Sequence, residues 1–193
     1  MSNGEANVEE AYEASAPWDA ARPDTLVISC SDGRWRASTQ EFVEHHLSAA
    51  SHADQVMVPG GIEPLTLLDL LPKDFNFLRR RLEALVETHG TRRIVAIAHE
   101  DCGWYRTRKI GRVAVDLRER QLADLKRAAA RLRSMFPGVL VETYYARLRA
   151  PSELSRAIFP KFRNTSRTVC AVEQRWGEGI GLGSGKPGGL DDE

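Results

Sequence analysis

The sequence predicts a single α/β domain with a mainly parallel central β-sheet flanked by helices, and a functional site at the carboxyl ends of the strands. Three observations predict it. Short, continuous β-prone runs bounded by polar or glycine-rich stretches read as strands buried on both faces. Between them, apolar residues recur at three- and four-residue spacing, as in a helix with one buried face. The two kinds of segment alternate along the chain. At 193 residues, with 42% hydrophobic and 28% charged side chains, the chain can build one sizeable core.

The elements follow in order. Residues 1–22 are rich in Glu, Ala, Ser and Asn without a period and read as a flexible arm. Thr25 to Ser29 is the first strand. Ser38 to Glu41 has capping-box spacing, and Phe42, Val43, His46 and Leu47 share a helical face, so a helix follows. Gln55 to Val58 is a short second strand, closed by Pro59-Gly60-Gly61. Phe75, Leu78, Leu82, Leu85, Val86 and His89 give a long helix ending at Gly90, which leads into a buried strand over Arg93 to Ala98. Leu122, Leu125, Ala129, Leu132 and Phe136 give another helix, stopped by Pro137-Gly138, and Val139 to Tyr145 is the next strand. Beyond residue 150, Glu153 to Phe159 reads as a short helix and Thr168 to Val172 as a short strand. The resulting division is an arm over 1–22, a domain over 23–176 and a glycine-rich tail over 177–193. Gly185-Lys186 is no phosphate loop, because Ile180 replaces its first glycine and Pro187 its Ser or Thr.

Charge and composition exclude several functions. Twenty-seven basic and 27 acidic residues cancel, so there is no overall attraction to nucleic acid or anionic lipid. The longest apolar runs fall far short of the roughly 18 residues of a membrane span, and the N-terminus lacks the basic and apolar regions of a secretory signal. The expectation is a cytoplasmic protein with neither nucleic acid nor membrane as partner. Three cysteines make a poor disulfide framework and point instead to metal ligands, nucleophiles or core residues.

Cys30 and Asp32 end the first strand; His99 and Cys102 end the Arg93 to Ala98 strand. A parallel sheet brings both pairs to one edge. Two thiolates and an imidazole suit Zn²⁺, three such ligands leave a position open, and Asp32 is available as a fourth donor. Cys170, between Val169 and Ala171, reads as core, and His45, His46 and His52 as exposed helix histidines. Arg79-Arg80-Arg81 and the basic residues from Arg106 to Arg112 read as solvated faces.

Ser29-Cys30-Ser31-Asp32-Gly33-Arg34 resembles the Cys-x-Asp-x-Arg signature of the β-class carbonic anhydrases, and His99-Glu100-Asp101-Cys102-Gly103 resembles their His-x-x-Cys-Gly motif. Ala53-Asp54 and Val58-Pro59-Gly60-Gly61 resemble the family's middle segment. The likeness covers roughly residues 24–146. It implies a β-carbonic-anhydrase-like fold and a zinc enzyme hydrating CO₂ to bicarbonate by attack of zinc-bound hydroxide, with Cys30, His99 and Cys102 on the metal. It further implies an Asp32/Arg34 pair in which the carboxylate accepts a hydrogen bond from zinc-bound water while the arginine holds it off the metal. Released, Asp32 becomes the fourth ligand. A homodimer or higher homo-oligomer is implied as well. The sequence departs from the family in its bulky Trp35, Trp104 and Tyr105, which either pack in the core or an interface, or narrow the pocket toward another small apolar substrate such as CS₂ or COS.

Two alternatives stay open. The same ligands with Asp32 fixed on the metal make a non-catalytic zinc protein. Cys30 to Arg36 also spells Cys-x-x-Gly-x-x-Arg, which resembles the loop of cysteine-dependent phosphatases, although Asp32 would put a carboxylate inside the anion cradle.

Overall fold

Strand β1 (Thr25–Cys30) is built from Thr, Leu, Val, Ile, Ser and Cys, and its first five residues are buried. Such a run suits the middle of a sheet covered on both faces. A computed structural model of the protein describes residues 11–47, 53–107, 116–149 and 156–162. In it β1 is flanked by β2 (Asp54–Val58) and β3 (Arg93–His99), both parallel to it, and β3 pairs in parallel with β4 (Leu140–Leu148). A two-residue strand, β5 (Ala157–Ile158), adds antiparallel to β4, giving the order β2-β1-β3-β4-β5. The mainly parallel sheet expected from the sequence is therefore present.

Four helices complete the described residues: α1 (Arg36–His45), α2 (Pro72–His89), α3 (Gly103–Thr107) and α4 (Leu117–Met135). Because side chains alternate along a strand, Leu26 and Ile28 face the side covered by α2 and α4, where they meet Leu78, Leu82, Leu125 and Leu132. Val27 faces the other side with Phe42 and Val43 of α1 and Val95 and Ile97 of β3. Each Leu or Ile fully buried this way contributes about 1.5–3 kcal/mol. Both layers hold β1 and β3 in register, and that register brings their last residues to one edge.

Local details differ from the sequence reading in two places. Helix α1 starts at Arg36 rather than at a Ser38 cap, because Asp32 caps a 3₁₀ turn over Gly33–Trp35 that runs straight into the helix. The segment read as a short helix over 153–159 is instead β5 where it is described: Ala157 and Ile158 pair with Leu148 and Arg147. The expected strand at Thr168 to Val172, Cys170, His52 and the tail over 177–193 lie outside the described residues. Among the described residues, no helix is long and apolar enough to cross a membrane.

Candidate metal centre

At the carboxyl edge, Cys30 closes β1, His99 closes β3, and Cys102 follows one tight turn later. Their Sγ, imidazole nitrogen and Sγ donors all lie within 4.8 Å of one another. His99 and Cys102 are buried, and Cys30 is half-buried. The two sulfurs stand 3.8 Å apart. The Cys102 thiol beside it lowers the Cys30 pKa against the opposing effect of burial, and the Gly60 N–H, 3.4 Å away, helps. The Cys102 thiol is correspondingly raised, first by its hydrogen bond to Cys30 and then by burial. The Cys30 sulfur is thus the readier of the two to give up its proton, and both sulfurs are donors suited to a divalent cation.

The imidazole is prepared in the same way. His99 Nδ1 lies 2.8 Å from the Glu100 carbonyl, which can only accept, so Nδ1 carries the proton and Nε2 presents a lone pair. That Nε2 is buried and has no hydrogen-bond partner. A lone pair left bare in a protein interior calls for a ligand. Its ring is fixed by Trp35, whose centroid lies 5.2 Å away, and the His99 carbonyl accepts from Gln121 Nε2 at 2.8 Å. Gln121 in turn accepts from the Tyr145 hydroxyl at 3.0 Å, and burial raises the Tyr145 pKa to about 12. An orphaned nitrogen and two paired sulfurs, each oriented by its neighbours, fit Zn²⁺.

Glycines let the middle loop reach this edge. Gly61 has φ +57°, and a Cβ there would lie 3.1 Å from the Cys30 nitrogen; Gly60 has φ +78°. Only glycine takes both constraints without strain.

Asp32 lies outside the three-donor cluster. Its carboxylate is gripped by Arg34 through Nη2 at 2.6 Å and Nε at 3.0 Å, and this hydrogen bonding holds its pKa below the usual carboxylate range despite some burial. Arg34 also binds the Asp101 carboxylate at 2.9 Å and the Asp101 carbonyl at 3.0 Å. Asp101 adopts φ 57°, an uncommon left-handed conformation that a short polar residue tolerates. One guanidinium therefore ties the loop after β1 to the loop after β3.

The other candidates are placed as follows. Trp35 and Tyr105 are buried, and Trp104 donates to the buried Glu63 carboxylate at 2.6 Å. Arg106 pairs with Asp101, and Arg79 with Glu83. His45 and His46 are exposed. Arg36 opens α1 and shares a cleft with Ser29, Cys30 and Thr39, but the Arg34 N–H that a phosphate cradle would use is taken by Asp32 at 3.1 Å. The sequence reading does not single out Gln121 or Glu63. Gln121 carries a signal, since it stands four residues before Leu125 on the buried stripe of α4.

The chain is similar to known proteins in sequence and in fold. A family model described as putative carbonic anhydrase matches residues 22–153. An uncharacterized protein of Rickettsia conorii is 27% identical over 128 residues, 62% of this chain; the alignment spans 65% of that relative, less than two thirds of its length. Among solved structures, the β-carbonic anhydrase isoform I of Trichomonas vaginalis aligns at TM-score 0.49 and 14% identity, covering 76% of this chain and 87% of that one. A carbonic anhydrase from Glaciozyma antarctica aligns at TM-score 0.45 and 18% identity, covering 72% and 82%.

Proposed function

Because this chain belongs to the putative carbonic anhydrase family, whose model spans residues 22–153, we propose that it is a zinc enzyme hydrating CO₂ to bicarbonate. The observation that carries the reading is the convergence of Cys30, His99 and Cys102 around a buried imidazole nitrogen without a partner. These three residues would hold the metal. Bound there, zinc supplies Lewis acidity that brings a coordinated water to a pKa of about 7.

The chain's own residues orient the rest. The Glu100 carbonyl fixes the His99 tautomer, so Nε2 is the donor. The Gly60 N–H steadies the Cys30 sulfur. Asp32, kept ionised by Arg34, offers a hydrogen-bond acceptor that would align the reacting water, and the guanidinium engages both oxygens of that carboxylate. This grip favours an open catalytic site over a four-ligand silent one. The reading includes a homodimer or higher homo-oligomer, which sedimentation velocity would report as a multiple of the monomer mass, and a cytoplasmic location, which cell fractionation would report.

Stopped-flow CO₂ hydration by the zinc-loaded protein at pH 7 and pH 9 tests the activity. Turnover at neutral pH that increases at pH 9 is expected. Protein carrying one zinc per chain and no turnover at either pH would overturn it.

A further inference from the structure

The turn after β2 and the start of α3 are joined by a partly buried polar contact that the proposed chemistry does not use. Glu63, in a 3₁₀ turn over Glu63–Thr66, is wholly buried. Its carboxylate accepts from Trp104 Nε1 at 2.6 Å and pairs with Arg120 Nη2 of α4 at 3.3 Å. A buried carboxylate is tolerated only when so neutralised. Trp104 follows Cys102-Gly103 directly, and its indole lies against Gly60: a Cβ built on Gly60 would overlap the ring, with Nε1 only 2.7 Å away. Gly60 is the residue whose N–H donates to Cys30 Sγ. The contacts therefore form a closed chain from Glu63 through Trp104 and Gly60 to the Cys30 sulfur.

We infer that Trp104, anchored by Glu63, is a positioning residue that presses Gly60 into place and so sets the N–H···S hydrogen bond that tunes Cys30 as a metal donor. The inference rests on the metal-site reading above. In the sequence, Trp104 stands out only as a bulky residue where the family resemblance implies a small one. In the fold, the indole fills the space that the absent side chain of Gly60 leaves, and its Nε1–H donates to the Glu63 carboxylate. Groups that hydrogen-bond the ligands of a metal site change metal affinity by about 10–100-fold when removed.

The test uses the whole chain loaded with Co²⁺, whose sulfur-to-metal charge-transfer band reports the donor strength of the cysteines, together with zinc affinity by competition with a chromophoric chelator. Trp104→Ala is expected to shift the band and weaken zinc by about tenfold or more. Trp104→Phe, which keeps a ring but loses the N–H, should give a smaller shift in the same direction and serves if the alanine variant does not fold. Gly60→Ala should be as damaging as Trp104→Ala, and the double variant Gly60→Ala/Trp104→Ala less damaging than the sum, because removing the indole makes room for the methyl. Phe136→Leu, in the core after α4 and beside the start of β4, should lower Tm and leave the band where it is. A band and zinc affinity unchanged in folded Trp104→Ala or Trp104→Phe, with the wild type loading one metal, would overturn this inference and leave the metal site standing. Failure of the wild type to load any metal would overturn both.

Discussion

The two ends of the parallel sheet carry similar charged side chains and use them differently. At the amino end, Asp24 pairs with Arg92 at 2.8 Å, Asp54 with His89 at 2.7 Å, and Arg93 bonds Glu142 at 2.7 Å and the Leu47 carbonyl at 2.8 Å. At the carboxyl end, Arg34 spans Asp32 and Asp101, but the imidazole beside them has a bare nitrogen and the two sulfurs have chiefly each other. Buried hydroxyls without partners occur at both ends, Thr91 at one and Ser29 at the other, so an orphaned hydroxyl does not separate them. An orphaned metal-type donor does. Satisfied polar groups at one edge serve the fold; unsatisfied donors at the other mark where a ligand belongs.

The two edges should differ most at Cys102. Cys102→Ala is expected to weaken zinc binding by more than about a hundredfold, read by metal content after dialysis, since it removes a donor itself rather than a supporting bond. Stoichiometric zinc in that variant would count against the division. At the amino end, Glu142→Gln should do the opposite. Glu142 is nearly buried and receives both Arg93 and Lys161, so loss of its charge should lower unfolding free energy by about 1–3 kcal/mol in urea titration and leave zinc uptake intact.

Arg34→Ala sharpens the contrast within the carboxyl end. Arg34 is 59% exposed, so the variant should lose less than about 1 kcal/mol of stability and keep its zinc. CO₂ turnover should fall about tenfold as Asp32 loses its anchor. Equal turnover in variant and wild type would mean that the pair is structural.

Arg92→Ala should be mildest. Hydrogen bonding from Arg92 is the main cause of the lowered Asp24 pKa. A carboxylate lowered in the folded state stabilises above its unfolded value, about 3.9, and that contribution fades as pH falls through the folded value. The difference in urea midpoint between wild type and Arg92→Ala should therefore be present at pH 5 and shrink as pH falls below the unfolded value, with zinc uptake at pH 7 unaffected.

Much of this architecture is readable in the sequence because it is written in local periods. β1 and β3 carry short continuous apolar runs, and α2 and α4 carry stripes such as Phe75-Leu78-Leu82 and Leu125-Leu132, which meet Leu26, Ile28 and Ile94 in the core on one face of the sheet. The cluster of Cys30, His99 and Cys102 is readable for a related reason: strand ends in a parallel sheet converge whatever the loops do. What escapes depends on partners distant in sequence. The Ser38 cap gives way because Asp32 reaches the Arg34 N–H first and Trp35 is drawn under His99. The two residues of β5 are strand only because β4 offers an edge. Glu63 looks like one more loop carboxylate until Trp104 and Arg120, 41 and 57 residues away, enclose it.

If sulfur and imidazole from the ends of β1 and β3 share one zinc, X-ray absorption at the zinc edge of the purified protein will show it. One zinc per chain is expected, with two sulfur neighbours at about 2.3 Å and a nitrogen or oxygen shell at about 2.0–2.1 Å. A zinc surrounded by nitrogen and oxygen alone, or no retained zinc after loading, would contradict it.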